Sequence, residues 1–249
     1  MDEPEAETGL VGSRTQVPSD APPLVADIDG TLTDDRRRLD PRVIPVLRDW
    51  PTEVVVATGK ALPYAVAICD YVGIEPRLIA ENGGIVLVGP DDEIRVEGDR
   101  EAAEAVVADY RALGHDLGWG ATDLVNRWRE TELAVSIERP VEPLRAAAAD
   151  HGLVVVDTGY AYHVTSPDVD KGEGLATVTD ELGREAREFV AVGDSENDVP
   201  VFEAVGHGVA VANADDAARA AADHVTSAAH GAGFVEAVDW LIRASRTRS

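Results

Sequence analysis

Two aspartates, Asp27 and Asp29, stand one residue apart directly after the apolar run 24–26. A short apolar run predicts a buried strand, and a carboxylate at its end is unfavourable unless a cation or a reaction uses it. Gly30 follows and permits a sharp turn that leaves backbone N–H groups free to face an anion. A bare Asp-x-Asp pair is common in acidic chains. The whole Asp-x-Asp-Gly-Thr-Leu-Thr pattern behind a strand predicts a metal-assisted phosphate site with Asp27 as a carboxylate nucleophile.

Further apolar runs along the chain also end at residues that can do chemistry. These runs lack polar alternation, which is typical of parallel strands buried on both faces. The residues at their ends carry hydroxyl, amide or carboxylate groups or are glycines: Thr58-Gly59, Asn82-Gly83, Gly193-Asp194 and Asn213. Because the carboxyl ends of parallel strands meet at one edge of an open sheet, where ligands bind, we expect these residues to lie near Asp27.

The elements that position these residues alternate between strand and helix. The pattern predicts strands at 24–26, 53–57, 77–80, 188–192 and 208–212, and helices at 40–50, 63–72, 171–182 and 216–222 before an amphipathic C-terminal helix. This alternation predicts an α/β fold with a doubly wound parallel sheet. In the first helix we expect Asp40 as the N-cap, Pro41 as the first residue and an irregular first turn, because Pro45 lacks an N–H donor.

The alternation lapses in the middle of the chain, where the residues are more polar. Strand-like pieces there surround two helices predicted at 100–113 and 141–151. We therefore assign residues 23–85 and 164–249 to a catalytic core and residues 86–163 to an inserted small α/β cap that sets substrate specificity.

The chain is strongly acidic, with 47 Asp plus Glu against 22 Lys plus Arg and a formal net charge of −25. Such a surface repels nucleic acids and anionic lipid, so the expected partner is a small phosphorylated metabolite, with no nucleic acid and no membrane. Nearly all the positive charge is arginine, and the lysines are Lys60 and Lys171. The composition fits a halophilic protein in a salt-rich cytosol. A GC-rich genome would explain the scarcity of lysine but not the acid excess.

The remaining sequence features exclude several classes of protein. Residues 1–22 are rich in Pro, Gly, Ser and acids and are predicted to be a disordered tail without the features of a signal peptide. The single cysteine, Cys69, excludes an internal disulfide and a cysteine-cluster metal site. No apolar run approaches the ~20 residues of a membrane helix, so we expect a cytoplasmic protein, either a monomer or a homodimer.

From about residue 24 to the C-terminus the chain resembles the haloacid-dehalogenase-like phosphatases, which have a Rossmann-like core. The segments that match their four motifs are Asp27-Ile28-Asp29-Gly30-Thr31, Thr58, Lys171 and Gly193-Asp194-Ser195-Glu196-Asn197-Asp198. An α/β insertion after Ala80-Glu81-Asn82-Gly83-Gly84 is similar to the Cof-type subclass, whose class IIB cap lies between motifs two and three. Three segments resemble the archaeal phosphoglycolate phosphatase family: Asn126-Arg127-Trp128-Arg129-Glu130, Gly159-Tyr160-Ala161-Tyr162-His163 and residues 193–202.

This resemblance implies a reaction and a cofactor. Asp27 attacks phosphorus and becomes an aspartyl phosphate, while Asp29 protonates the leaving alkoxide and later takes a proton from water. The implied cofactor is Mg²⁺, which prefers oxygen ligands. Its ligands would be the Asp27 carboxylate, the Asp29 backbone carbonyl and Asp194, with Asp198 as a further ligand or as the holder of a metal-bound water.

The resemblance also implies how the phosphoryl group is held. Lys171 would neutralise the phosphoryl oxygens together with Asp27, while the Thr58 hydroxyl and the Gly59 N–H would hold one oxygen. Lys171 has the alternative role of capping the helix that it precedes, and the fourth motif could be an acidic turn. Lys60 is interpreted either as a charge at the edge of the phosphate site or as a surface charge.

The predicted cap contains two arginines that could select a substrate. If residues 125–128 form a strand, Arg127 and Arg129 lie on one face and can bind a small carboxylate through bidentate hydrogen bonds. The alternative is ion pairing with Glu130 or Glu132.

Two other segments also have two interpretations each. Glu81-Asn82 is either catalytic or shapes the junction between the domains. Tyr160, Tyr162 and His163 either pack as aromatic residues or contact substrate.

The implied activity is Mg²⁺-dependent hydrolysis of 2-phosphoglycolate to glycolate and phosphate. A broader sugar-phosphate or mannosyl-3-phosphoglycerate phosphatase would use the same residues. A phosphomannomutase-like phosphotransferase shares the Asp-x-Asp-Gly-Thr start, and release of inorganic phosphate without transfer between sugar positions would distinguish a phosphatase from it. A non-catalytic binding module would not require both motif-one aspartates together with the fourth motif.

The acid excess predicts that stability depends on salt. Self-repulsion among carboxylates should destabilise the fold in dilute buffer, and it is screened within a Debye length of ~3 Å near 1 M salt. We therefore expect the melting temperature to rise from low to molar KCl. Melting curves that do not move with KCl would contradict this expectation.

Overall fold

A computed structural model of the chain describes residues 17–89 and 93–246. The strands are β1 (Leu24–Asp27), β2 (Val54–Ala57), β3 (Leu78–Ala80), β4 (Ile85–Leu87), β5 (Arg95–Val96), β6 (Leu133–Ser136), β7 (Val154–Asp157), β8 (Ala161–Thr165), β9 (Val190–Gly193), β10 (His207–Ala210) and β11 (His224–Val225). The helices are α1 (Val43–Arg48), α2 (Leu62–Val72), α3 (Arg100–Ala112), α4 (Val141–Asp150), α5 (Lys171–Leu182), α6 (Val199–Ala204), α7 (Asp216–Ala221) and α8 (His230–Arg246).

A large sheet has the strand order β11-β10-β9-β1-β2-β3-β4-β5, and its strands from β11 to β3 are parallel. Leu24 of β1 pairs with Val54 on one side and with Val190 on the other. The chain therefore winds outward in both directions from β1, which places the topological switch point between β1 and β9. Ligands bind at the carboxyl ends of strands at such a point. The prediction of a doubly wound α/β fold is confirmed.

Both faces of the large sheet are buried at its central strands β1, β2, β3 and β9, which explains why these strands lack polar alternation. Leu24 and Ala26 lie in one apolar cluster with residues of α1 and α8, while Val25 lies in a second cluster with residues of α5 and α6. Alternate residues of one strand therefore enter different layers of the core, and each layer excludes polar side chains.

A smaller lobe consists of an antiparallel sheet with the order β6-β8-β7, together with α3 and α4. Its own core contains Val106, Tyr110, Leu133, Leu144 and Val164, all buried. The helices predicted at 100–113 and 141–151 agree with α3 and α4 within one residue at each end. The spacing of their apolar residues was sufficient to predict both helices, because each helix buries only one face and so has a clear apolar period.

The predicted boundary of this lobe at residue 86 is wrong. β4 pairs antiparallel with β3, where Ile79 lies opposite Val86, and β5 pairs antiparallel with β4. Residues 86 and 87 and residues 95 and 96 therefore extend the large sheet. The change of pattern that suggested a new domain is the start of an antiparallel edge, where both strands are short and the outer strand β5 is exposed.

The prediction of a disordered tail is wrong for residues 17–22, while residues 1–16 lie outside the described residues. Val17 and Ala21 pack against the core cluster that contains Leu24. The Trp50 indole N–H donates to the Pro22 carbonyl at 3.0 Å. A polar, proline-rich composition does not reveal that a few of its residues pack against a core.

The first helix is shorter than predicted, because α1 spans Val43–Arg48 rather than 40–50. Asp40 is not its N-cap: the Asp40 carboxylate accepts hydrogen bonds from the backbone and the guanidinium of Arg42. Pro45 lies in the first turn of this short helix, where the missing N–H has no intrahelical partner to lose.

Within residues 17–89 and 93–246, no helix combines the length and the apolar character needed to cross a membrane.

Candidate active site

Lys171 connects two carboxylates at the switch point of the large sheet. Its ammonium nitrogen lies 2.8 Å from Asp27 Oδ1 and 2.7 Å from Asp198 Oδ1. Lys171 is completely buried at the start of α5, and Asp27 is the last residue of β1. A buried ammonium is stable only when carboxylates compensate its charge, so the three residues form one unit.

Asp194 follows β9 and lies against the turn after β1. Gly30 has a φ of +82°, and a Cβ atom there would lie 1.9 Å from Asp194 Oδ2. Glycine is therefore required for both the conformation and the close approach. The Asn213 amide donates to the Gly30 carbonyl at 3.1 Å and to Asp194 Oδ2 at 3.2 Å. The ends of β1, β9 and β10 are thus held together, as the sequence predicted for Asn213.

Both oxygens of Asp198 accept hydrogen bonds within the protein. Asp198 Oδ2 accepts from the backbone N–H groups of Asp194 and Ser195, at 2.9 and 3.1 Å, while Oδ1 accepts from Lys171. Asp198 therefore orients Lys171 and shapes the loop that carries Asp194. A simple acidic turn would not require the contact with Lys171, so these hydrogen bonds favour the functional interpretation of the fourth motif over the acidic-turn alternative.

The acidic cluster fits a divalent cation. One ligand atom each from Asp27, Asp194 and Asp198 lie within 4.8 Å of one another. Among the described residues, Asp27 Oδ2, Asp29 Oδ1 and Asp194 Oδ1 are buried without a hydrogen-bond partner. Buried carboxylate oxygens without donors are unfavourable, and hard cations prefer oxygen-only sites of this kind.

The pKa values of the cluster also favour a site for a divalent cation. Burial raises the pKa of Asp27 to about 7, although the charge of Lys171 opposes the increase. Burial and the charges of Asp27 and Asp198 raise the pKa of Asp194 to about 9. Burial alone would lower the pKa of Lys171, but the two carboxylates outweigh it and the pKa is raised. Without a cation, the site holds protons on carboxyl groups that would ionise in water.

The loop after β2 lies beside this cluster. The Thr58 hydroxyl is buried and accepts a hydrogen bond from the Lys60 N–H at 3.1 Å, while Gly59 lines a cavity. The Lys60 ammonium lies 3.0 Å from Asp29 Oδ2. Both lysines of the chain therefore contact the motif-one aspartates, one on each.

The cavity has a volume of about 460 Å³ and lies between the sheet edge and the smaller lobe. Asp27, Asp29, Gly59, Lys60 and Asp194 line it from the sheet side. From the smaller lobe it is lined by Leu124, Val125, Arg129, Thr158, Gly159, Tyr160 and His163.

The structure does not bring Arg127 and Arg129 together. Residues 125–128 form turns rather than the expected strand, so the two side chains do not share a face. Arg129 is buried at the cavity, where it forms an ion pair with Glu132 and donates to the Val125 carbonyl. Arg127 is exposed and lines a separate groove of the smaller lobe. The strand prediction is wrong because a segment of four residues carries too little periodicity to distinguish a strand from turns.

The Glu81-Asn82 pair connects the core to the smaller lobe. The buried Glu81 carboxylate accepts hydrogen bonds from the Thr131 N–H at 2.9 Å and from the Thr131 hydroxyl at 2.7 Å. The Asn82 amide donates to Glu132 Oε2 at 3.0 Å and accepts from Asn197 at 2.9 Å. These contacts favour the interpretation of the pair as a domain junction.

Glu132 also lies 2.6 Å from His163 Nδ1, so the junction includes the aromatic segment at the end of the smaller lobe. His163 is buried and lines the cavity, whereas Tyr162 packs against the core of the lobe. Asn82 and Asn197 link this junction to the loop that carries Asp194.

Sequence reasoning missed several residues of the cavity wall. The Arg37 guanidinium lies 3.4 Å from the centre of the Tyr160 ring. Tyr64 contacts Trp128 edge to face at 5.9 Å, and His230 Nδ1 lies 3.2 Å from the Gly30 carbonyl. These contacts join segments far apart in the chain, and nothing in the local pattern indicated them.

The family of the chain follows from comparison with known proteins. A family model described as haloacid dehalogenase-like hydrolase matches residues 24–111 and 138–238. A relative from Haloarcula marismortui, named phosphoglycolate phosphatase, is 60% identical over 220 residues, which cover 88% of this chain and 97% of the relative. A relative of the same name from Halobacterium salinarum is 59% identical, with coverage of 88% and 96%. The chain belongs to the haloacid dehalogenase-like hydrolase family.

Solved structures agree with this assignment. A crystal structure of a Thermoplasma acidophilum protein has a TM-score of 0.77 and 26% identity, covering 89% of this chain and 98% of that one. A haloacid dehalogenase-like hydrolase from Bacteroides thetaiotaomicron has a TM-score of 0.71 over 89% of this chain and 99% of its own. At 19% identity, the second likeness shows the fold alone.

The raised carboxyl pKa values predict how stability depends on pH without a divalent cation. In EDTA, the folded protein keeps protons that the unfolded chain releases above pH 3.8, so its free energy of unfolding should fall as pH rises toward about 9. Added Mg²⁺ should raise the melting temperature more at about pH 9 than at about pH 6, because it stabilises the ionised carboxylates.

The matched variant Asp194→Asn separates this effect from general alkaline destabilisation, because it keeps the shape of the side chain but removes its titration. We expect a shallower pH slope and a smaller Mg²⁺ shift in this variant, measured by thermal unfolding. Identical pH slopes in the wild type and in Asp194→Asn would rule out this account.

Proposed function

We propose that the protein is a Mg²⁺-dependent phosphatase that hydrolyses 2-phosphoglycolate to glycolate and phosphate. The observation that carries the proposal is the unit in which the buried Lys171 bridges Asp27 and Asp198 beside the unpaired oxygens of Asp27 and Asp194. Further support comes from haloarchaeal relatives of 56 to 60% identity that are named phosphoglycolate phosphatase.

Asp27 is the nucleophile in this proposal. Its carboxylate forms a bond to phosphorus while the bond between phosphorus and the ester oxygen breaks, which gives an aspartyl phosphate. Asp29 gives its proton to the departing oxygen, so glycolate leaves as the free alcohol. A water molecule then attacks phosphorus, Asp29 takes its proton, and phosphate is released with the Asp27 carboxylate restored.

The phosphoryl group is held by charge and by hydrogen bonds. The Lys171 ammonium has three N–H donors, of which two are directed at Asp27 and Asp198, so one remains for a phosphoryl oxygen. Gly59 lines the cavity, and its N–H can donate to a second oxygen together with the neighbouring Thr58 hydroxyl, which is buried.

Mg²⁺ would be held by the Asp27 carboxylate, the Asp29 carbonyl and Asp194. When bound, this ion neutralises charge on the phosphoryl oxygens and on the carboxylates. Asp198 serves a positioning role in this proposal, because both of its oxygens already accept hydrogen bonds within the protein.

The smaller lobe acts as a cap over the cavity. Its contacts with the core, such as Tyr64 with Trp128 and Arg37 with Tyr160, lie at the cavity wall, so the lobe can exclude water around a small substrate. The net charge of −25 favours a small metabolite over a nucleic acid and fits a cytoplasmic location in a salt-rich cell.

The test is phosphate release from a substrate panel at high KCl with Mg²⁺. We expect 2-phosphoglycolate to have a higher kcat/KM than sugar phosphates or mannosyl-3-phosphoglycerate. Asp27→Asn should lower kcat by about 10³-fold or more, because an amide is a poor nucleophile. EDTA should abolish activity in the wild type.

Thermal unfolding of Asp27→Asn is the control for folding. A faster reaction with a sugar phosphate would contradict the proposed substrate. Undiminished phosphate release by Asp27→Asn would contradict the proposed chemistry.

A further inference from the structure

Phosphoglycolate carries a second anion, and its position in the cavity is constrained. This inference rests on the proposed function. The carboxylate of the substrate is separated by one methylene from the ester oxygen that leaves phosphorus. Asp29 must reach that oxygen to protonate it, so the carboxylate has to lie close to Asp29. In a chain of net charge −25 this position requires a cation.

Most of the cations near the cavity are already engaged. Lys171 is bound by Asp27 and Asp198 on the phosphoryl side of the site. Arg129 is buried in an ion pair with Glu132. The Arg37 guanidinium is stacked on a ring of the smaller lobe. None of these three is next to Asp29 in the structure.

Lys60 is placed differently. Its ammonium lies 3.0 Å from Asp29 Oδ2, and its side chain is 30% exposed at the cavity. The backbone of Lys60 is fixed from both sides, since its N–H donates to the Thr58 hydroxyl at 3.1 Å and its carbonyl accepts from the Glu81 N–H at 3.0 Å. The base of the side chain is therefore held while its tip faces the cavity.

We propose that Lys60 binds the carboxylate of the substrate and is the residue that selects a carboxylate-bearing phosphate ester. One N–H of the ammonium is directed at Asp29, and the other two can donate to the carboxylate on the leaving-group side. A compact ammonium suits this role, because its donors can point to two acceptors in different directions. In this proposal each lysine binds a different anionic group of the substrate: Lys171 binds the phosphoryl group and Lys60 binds the carboxylate.

The competing role for Lys60 is indirect, through Asp29. Three substrates distinguish the two roles. 2-Phosphoglycolate has the carboxylate and a leaving alkoxide that needs a proton. 2-Hydroxyethyl phosphate has a similar leaving group without the carboxylate. p-Nitrophenyl phosphate lacks the carboxylate and has a leaving group that is stable without protonation.

The experiment compares wild type, Lys60→Met, Lys60→Arg and the charge-matched control Arg145→Met on all three substrates. Arg145 lies on α4, 54% exposed and away from the cavity. We expect Lys60→Met to lower kcat/KM for 2-phosphoglycolate by about 10- to 100-fold, mainly through KM, with less than about a threefold change for the other two substrates. Lys60→Arg should recover part of the loss, and Arg145→Met should behave as wild type.

Several results would overturn the proposal. Parallel losses on 2-phosphoglycolate and 2-hydroxyethyl phosphate, with p-nitrophenyl phosphate spared, would show that Lys60 acts through Asp29. Unchanged kinetics in Lys60→Met would show that it is only a surface charge. If wild type does not prefer 2-phosphoglycolate to 2-hydroxyethyl phosphate, the proposed function fails before any variant is compared. Equal melting temperatures across the variants serve as the control for folding.

Discussion

The structure depends on the concentration of negative charge at one edge of a sheet. The carboxylates of Asp27, Asp194 and Asp198 converge there, and the fully buried ammonium of Lys171 compensates only part of their charge. Burial makes this arrangement unfavourable by itself, as the raised carboxyl pKa values indicate. Such an arrangement of buried charges is typical of a functional site rather than of a stabilising ion-pair network.

The order of the strands produces this concentration. β1 lies between β2 and β9, so segments separated by more than 150 residues deliver Asp27 and Asp194 to neighbouring strand ends. Their approach is limited by the turn after β1, where Gly30 leaves no space for a Cβ atom. Lys171 reaches these strand ends from the first turn of α5, which packs on the face of the sheet opposite to α1 and α8. The backbone geometry of the strands and turns therefore determines the distances within the site.

The smaller lobe is attached through buried polar contacts rather than through a shared apolar core. Across the junction, Glu81 accepts a hydrogen bond from Thr131 and Asn82 donates one to Glu132. Asn197 donates to Asn82 and so connects the junction to the loop of the acidic cluster. Buried polar groups tolerate little change of geometry, because each lost partner leaves an unsatisfied group. The position of the lobe and the shape of the acidic loop are coupled through these contacts.

The sequence by itself determined most of the fold and the composition of the site. Unbroken apolar runs predicted the strands that end near Asp27 and Asp194, and the helix that begins at Lys171 was predicted with its observed ends. These predictions were possible because burial of an element on one or both faces determines the spacing of its apolar residues. Only the tertiary structure decided which cations meet which anions. Arg127 and Arg129 were expected on one face, yet one is exposed and the other is paired, while Lys60 was left between two roles and lies against Asp29. Contacts between distant segments depend on three-dimensional packing, so the local periodicity of the sequence does not predict them.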